Sequence, residues 1–200
     1  MKTSAFLSAV AAILISCVVT SVCPYFAGKD LVTEQAIVGS WTNANNHDEV
    51  WKFEQTGKFV YRLTLVQPST TTILETHVFK LEGRLLLDIF SLERDYHVIP
   101  AHYLLKVEQT APSLKFTELN DAWLKSFVAR KPTAVPYHIL ENPSNPSDSR
   151  IVLTGDTSEL QSFVLRHFTT PGAWKDAFEL RSEAPAVRTL QMNKSSLSEN

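Results

Sequence analysis

From Val38 onward apolar and polar side chains alternate along most of the chain, the period of strands that bury one face. In KFVYRLTLVQ, residues 58–67, Phe59, Tyr61, Leu63 and Leu65 fall on one face, with Val60, Arg62, Thr64 and Val66 on the other. The preceding EVWKFEQTG puts Trp51 and Phe53 on one face and ends in the turn residues Gln55-Thr56-Gly57, so the two runs predict a β-hairpin. Further strand-like runs are TTILETHVFKLE, RLLLDIF, AHYLLKVEQ, SLKFTEL, PYHILE and RIVLTG, with Gly83 and Ala111-Pro112 supplying turns. About eight or nine strands with short connections predict an all-β fold, an antiparallel up-and-down meander whose closure into a barrel removes both exposed edges.

Two segments change to helical spacing. NDAWLKSFVARKP begins with Asn120 as an N-cap, repeats Trp123, Leu124, Phe127 and Val128, and stops before Pro132. DTSELQSFVLRHF carries Asp156 and Glu159 at capping-box spacing, then Leu160, Phe163, Val164 and Phe168 on one stripe. Both apolar stripes need cover, across an open barrel end or against its wall. ENPSNPSDS, residues 141–149, reads as a polar loop, and the NKSSLSEN end as disordered.

The first 26 residues follow a different pattern. Lys2 precedes an apolar segment from Ala5 to Ile15, the length of a signal h-region and too short to span a bilayer. At its end, Leu14-Ile15-Ser16-Cys17 resembles the lipobox of bacterial lipoproteins, in which an aliphatic residue, a tolerant position and a small residue precede the lipidated cysteine. The resemblance implies a signal peptide over 1–16, a diacylglyceryl thioether on Cys17, a lipidated tether over 17–35, a barrel domain over 36–185 and a tail over 186–200. Two or more acyl chains give stable anchoring. Val18 after the cysteine is similar to lipoproteins sorted to an outer membrane, which places the domain in the periplasm. An uncleaved N-terminal membrane anchor and a soluble secreted product are the alternatives. Val18-Val19-Thr20-Ser21-Val22 is more apolar than a usual tether, and Cys23 reads as filler near the membrane.

Composition narrows the partners. The chain is 44% hydrophobic and 20% charged with a net charge of −2, and its longest basic run is Arg130-Lys131. Nucleic-acid binding needs a basic face to release counterions, so that class is not expected. Beyond Cys23 no cysteine follows, which leaves the folded body without a disulfide or a thiolate metal site.

Val38-Gly39-Ser40-Trp41 resembles the start of a lipocalin-type (calycin) barrel, whose first strand carries Gly-x-Trp. The resemblance implies that Gly39 lets the strand bend, that Trp41 plugs the closed end, and that Arg181 in FELRSE is the cation closing over it. Arg94-Asp95-Tyr96 matches the lipocalin Thr-Asp-Tyr turn only loosely and receives no role. Most of the chain is also similar to a group of bacterial lipoproteins without an assigned activity. That similarity is carried by Cys17 to Tyr25, Gly39 to Trp41, Leu87-Asp88, Ile99 to Tyr103 and Leu153 to Leu160.

Candidate chemistry is sparse. His97 and His102 flank Val98-Ile99-Pro100-Ala101, with Asp88, Glu93 and Asp95 near in sequence. A metal site needs three or four converging ligands. An odd separation along a strand sends the two rings to opposite faces unless Pro100 introduces a bulge, so rim histidines are expected and no metal or other cofactor. Asp88 inside LLLDIF is either paired or turned out of the barrel. No phosphate loop, HExxH, nucleophile elbow or CxxC is present, and no catalytic residue is assigned.

Trp41, Trp51, Phe53, Phe59, Tyr61, Tyr103 and Phe116 line the expected interior, with Leu63, Phe79, Leu85, Leu87, Leu105 and Leu114 beside them. They are either core or the walls of a pocket for a small apolar or amphipathic ligand. The expected function is a membrane-anchored envelope lipoprotein that binds such a ligand, with two alternatives. One is a solid barrel serving structure or interaction, and the other an enzyme using His97, His102 and Asp88.

Overall fold

The computed structural model describes residues 18–91, 101–142, 145 and 149–182. Its elements are β1 (Thr20–Ser21), β2 (Gly39–Asn43), β3 (Asn46–Gln55), β4 (Tyr61–Gln67), β5 (Thr70–Leu81), β6 (Arg84–Ser91), β7 (His102–Thr110), β8 (Ser113–Glu118), α1 (Asp121–Arg130), β9 (Tyr137–Leu140), β10 (Arg150–Leu153), α2 (Thr157–Arg166) and β11 (Phe178–Ser182), with a 3-10 turn at Gln35–Ile37 before β2. The signal segment, Cys17, residues 92–100 with Glu93, His97 and the Arg94-Asp95-Tyr96 turn, and the 186–200 tail lie outside the described residues.

The fold is a closed, antiparallel barrel of eight strands in the order β2-β3-β4-β5-β6-β7-β8-β11. Seven strands form the meander legible in the sequence. The eighth is β11, reached from β8 through an insertion that holds α1, β9, β10 and α2. Strand-like runs at PYHILE and RIVLTG do form β9 and β10, but these pair with each other and with β1, outside the barrel. Closure instead uses FELRS, where Phe178 lies opposite Phe116 and Leu180 opposite Leu114.

Inside the barrel the inward positions make one continuous core. Trp51 stacks on Phe116 with ring centroids 5.7 Å apart, and Phe178 lies 5.6 Å from each of them. Phe53, Tyr61, Leu63, Leu87 and Leu105 complete it, all buried. At one end Gly39 adopts a φ of +133°, a conformation that L side chains rarely take, as the chain turns from the 3-10 turn into β2. Trp41 is buried there, its indole N–H donating to the Ile37 carbonyl at 2.8 Å.

Two expectations from alternation and one from the lipocalin resemblance are corrected. β4 starts at Tyr61, so Phe59 lies in the preceding turn, half-buried and outside the barrel core, where its carbonyl accepts from His77 Nδ1. Phe79 follows inward-facing Val78 and therefore points out of the barrel. Arg181 follows inward-facing Leu180, so it is exposed beside Glu179 and covers nothing.

A second core lies on the outside of the wall. Phe79, Leu81, Leu86 and Leu104 face outward from β5, β6 and β7 and are buried under α1 (Leu124, Val128) and α2 (Leu160, Phe163, Val164). Both helices carry the expected caps, Asn120 accepting from Ala122 and Trp123, and Asp156 with Glu159 in a reciprocal box. The linker after α2 is fastened by Lys106 on β7. Its ammonium donates to the Phe168 carbonyl at 2.6 Å and lies 4.0 Å from the Phe168 ring and 3.8 Å from the Trp174 ring. Burial pushes the Lys106 pKa down to about 8.

The segment expected as a tether is part of this body. Val18 bridges to Asn120, and β1 pairs with β7 and β10. Val19 and Tyr25 are buried in the second core, which accounts for the unusual apolarity of these positions. Farther on, Val32 N–H donates to Val78, Lys80 N–H to Asp30, and Ile37 joins the barrel interior. Residues 18–35 thus belong to the folded body and are not a separate tether.

A chain shortened to begin at residue 28 loses both Val19 and Tyr25. At about 1.5–3 kcal/mol for each fully buried side chain, the expected loss is about 3–6 kcal/mol relative to a chain beginning at residue 18. Urea unfolding of the two chains measures it, and coincident midpoints would show that residues 18–27 carry no stability.

Candidate functional site at the Asp88–His102 seam

Alternation along β6 sends Leu87 and Ile89 inward and Asp88 outward, beneath the N-terminal segment, where the carboxyl group is fully buried. Its Oδ1 accepts from His102 Nδ1 at 2.7 Å, and its Oδ2 accepts from the Tyr25 backbone N–H at 3.0 Å. Asp88 pairs with Leu104 across β6 and β7 while His102 pairs with Phe90, so acid and imidazole are diagonal neighbours on one face. A carboxylate only accepts, so Nδ1 carries the proton. The ring stacks on Phe90 at 4.8 Å between centroids, and the side chain is 14% exposed.

Asp and His bonded in this way form the supporting half of a nucleophilic triad. Among the described residues, the hydroxyl paired in register with His102 is not free to serve as the third member. Ser21 lies opposite His102 in the β1–β7 register, but it is fully buried and its hydroxyl donates to the Cys23 carbonyl at 2.6 Å. Beside it lies the buried Tyr25 hydroxyl, with the Ser21 hydroxyl as its hydrogen-bonding neighbour. Burial pushes the Tyr25 phenol far above its ordinary pKa, partly offset by Ser21 and reinforced by Asp88. What the arrangement does chemically is give a buried carboxylate its hydrogen-bond donors, and in doing so it clamps the Tyr25 backbone onto the wall.

His97, Glu93 and Asp95 lie outside the described residues, so of the expected cluster the structure brings together Asp88 and His102 only. Among the described residues no group of three or more His, Cys, Asp or Glu side chains is placed to hold a metal ion. Cys23 is a free, half-buried thiol packed on the second core.

The aromatic candidates divide differently. Trp41, Trp51, Phe53, Tyr61, Tyr103 and Phe116 all lie in the barrel core. Tyr61 is also polar cover, its hydroxyl accepting from Glu34 N–H at 2.6 Å. At the other end of the barrel Glu118 lies opposite inward-facing Leu105 and pairs with Lys175 at 2.8 Å. Tyr103 is nearby with its hydroxyl buried beside Glu118; burial first and the Glu118 charge second push its pKa well up. A separate surface cleft of about 440 Å³ runs between residues 132–136 and α2, lined by Ser158, Ser162 and Arg166 among others, and shares no residue with the seam.

Sequence reasoning missed Tyr25 and Ser21 as partners of the seam, and Phe178 and Leu180 as core. A signal existed for the first pair, because a buried acid in LLLDIF requires donors and the apolar 18–26 run requires a surface. For β11 the five-residue FELRS run was too short to separate from loop.

The chain matches no family model, no curated protein and no solved structure.

Two outcomes follow from these buried groups. Asp88→Ala leaves the Tyr25 N–H and the His102 ring without their acceptor, and breaking such a buried pair from one side costs about 3–5 kcal/mol in urea unfolding. His167, enclosed by Trp123, Phe127 and Phe163 with ring centroids at 5.2, 4.7 and 4.8 Å, has a buried Nε2 without a partner, and burial lowers its pKa from 6.5. The unfolded chain therefore takes up a proton before the native one does. The stability contributed by the neutral ring is complete above pH 6.5, and falls as pH drops from there toward the lowered native value. His167→Phe should flatten that part of the stability–pH curve, and an unchanged slope would refute the assignment.

Proposed function

We propose that this chain is a bacterial envelope lipoprotein, anchored through lipid on Cys17, whose solid barrel serves as a structural or interaction module and does not carry a ligand. The observation that carries this reading is the filled interior. An eight-stranded barrel is just wide enough to be packed by side chains or to hold one small ligand. Here the Trp51, Phe53, Phe116 and Phe178 rings contact one another across the lumen, with Leu63, Leu87, Leu105 and Leu180 around them fully buried. A stacked ring cluster inside the barrel supports packing by side chains over a ligand cavity.

The anchor rests on the sequence at 14–17. Among the described residues no helix is long and apolar enough to cross a membrane. Surface features support the interaction half of the reading. β9 ends the sheet order, pairing with β10, and carries exposed Ile139 and Leu140, 37% and 49% accessible. An apolar edge strand is a ready site for pairing with another chain. The Asp88–His102 pair is placed to hold the fold together, and the buried, committed Ser21 hydroxyl removes support from the enzymatic alternative.

Titration of the Cys17→Ala chain with an environment-sensitive fluorescent fatty acid tests the reading. The expected result is no saturable signal up to the solubility of the probe. Saturable one-to-one binding, competed by unlabelled fatty acid, would overturn the solid barrel and restore the ligand-binding alternative.

A further inference from the structure

We propose, resting on the anchored reading above, that the barrel mouth formed by the end of β8 and the start of β7 lies directly against the phospholipid leaflet that holds the Cys17 acyl chains. The surface is an oriented membrane-facing one, and its occupant is lipid headgroups.

The argument is one of chain length. Lipoprotein domains tumble freely when a flexible stretch separates the lipid from the first fixed residue, since the reach of such a stretch grows as about 5–6 Å × √n. In this chain the residue directly after the cysteine is already fixed. Val18 bridges Asn120, two residues beyond the end of β8, and packs against the barrel interior. Thr20 and Ser21 are then held on both sides, by Tyr103 and His102 of β7 and by Val152 and Leu153 of β10. The Val22 N–H donates to Leu153, and Tyr25 is fastened to Asp88. Only one peptide unit, about 3.8 Å between Cα atoms, separates the modified cysteine from a rigid body.

The end of the barrel to which this applies is fixed by topology. β2 and β8 run in the same direction, as do β4 and β6, and all four finish at the mouth. The turns between β2 and β3 and between β4 and β5 therefore lie at the membrane end. The turns between β3 and β4 and between β5 and β6 lie at the far end, beside the 3-10 turn that covers Trp41. The proposed orientation is set by the covalent link and not by charge. Lys175 is paired with Glu118 and Lys125 with Asp121 at the membrane end, so no unpaired basic cluster is needed there. Orientation by a covalent link should be insensitive to salt and to anionic lipid, unlike adsorption through a basic face.

The test uses the full chain, matured in a lipidating host and reconstituted into phosphatidylethanolamine–phosphatidylglycerol vesicles. Ser69 and Thr56 are exposed turn residues at opposite ends of β4, about 20 Å or more apart at the rise of a strand. Ser69→Cys and Thr56→Cys, each in a Cys23→Ala background, are labelled with bimane, and quenching by headgroup-nitroxide lipid is measured. Quenching at position 69 is expected to exceed that at position 56 several-fold, unchanged in high salt. Inserting a flexible Gly-Ser stretch of about twelve residues between Cys17 and Val18 should abolish the difference.

Equal quenching at the two positions without the insertion, on protein whose mass shows a lipidated Cys17, overturns the orientation and leaves the anchor standing. A mass showing Met1 and a free Cys17 thiol overturns the anchor, and the orientation with it.

Discussion

The arrangement of this protein depends on three neighbouring strands that are apolar on both faces. A closed barrel normally buries one face of each strand and leaves the other to water. In β5, β6 and β7 the outward positions Phe79, Leu81, Leu86 and Leu104 are as buried as the inward Val78, Leu87 and Leu105. Burial of apolar surface is the dominant favourable term in folding, so that outer face had to be covered. The insertion between β8 and β11 supplies two capped helices for the purpose, and the N-terminal segment supplies the remainder. Cover on the outside of a barrel, and not a lid on its end, is what these helices provide.

Asp88 is the polar exception on the covered face. A carboxylate removed from water needs partners close to ideal geometry, because its desolvation is otherwise uncompensated. Its two oxygens are divided between a side chain of the wall, His102, and a backbone group of the covering segment, Tyr25. Apolar cover alone is tolerant of sliding. A buried acid with one acceptor directed at each layer is not, and this ties the register of residues 19–25 to that of β6 and β7. The same residues follow directly on Cys17, so the proposed anchor would be tied to that register.

The interior and the exterior of the barrel thus carry different meanings. The lumen is occupied by stacked rings and leucines, as in barrels whose core is purely structural. Among the described polar groups, Tyr61 receives the Glu34 N–H at one end, Glu118 with Lys175 stands at the other, and the buried Thr76 hydroxyl on β5 donates to the Tyr61 carbonyl. On the outer surface, the β9 edge strand exposes Ile139 and Leu140.

Much of this was determined by local sequence alone. Period-two alternation placed β3 to β8 and the inward ring set of Trp51, Phe53, Tyr61 and Phe116, because strand geometry forces successive side chains to opposite faces. The caps at Asn120 and Asp156 fixed both helix starts through hydrogen bonds only three residues long. Tertiary structure decided the rest, for reasons no local pattern contains. RLLLDIF reads as apolar whether one face or two are covered, so the second core and the outward turn of Phe79 needed the packed neighbours to appear. β11 closes the ring although FELRS is weaker as a strand than PYHILE, because closure depends on where an insertion returns the chain. Val18 to Val22 looked like a tether with surplus apolar residues; that surplus became meaningful only when the wall beneath it was in place.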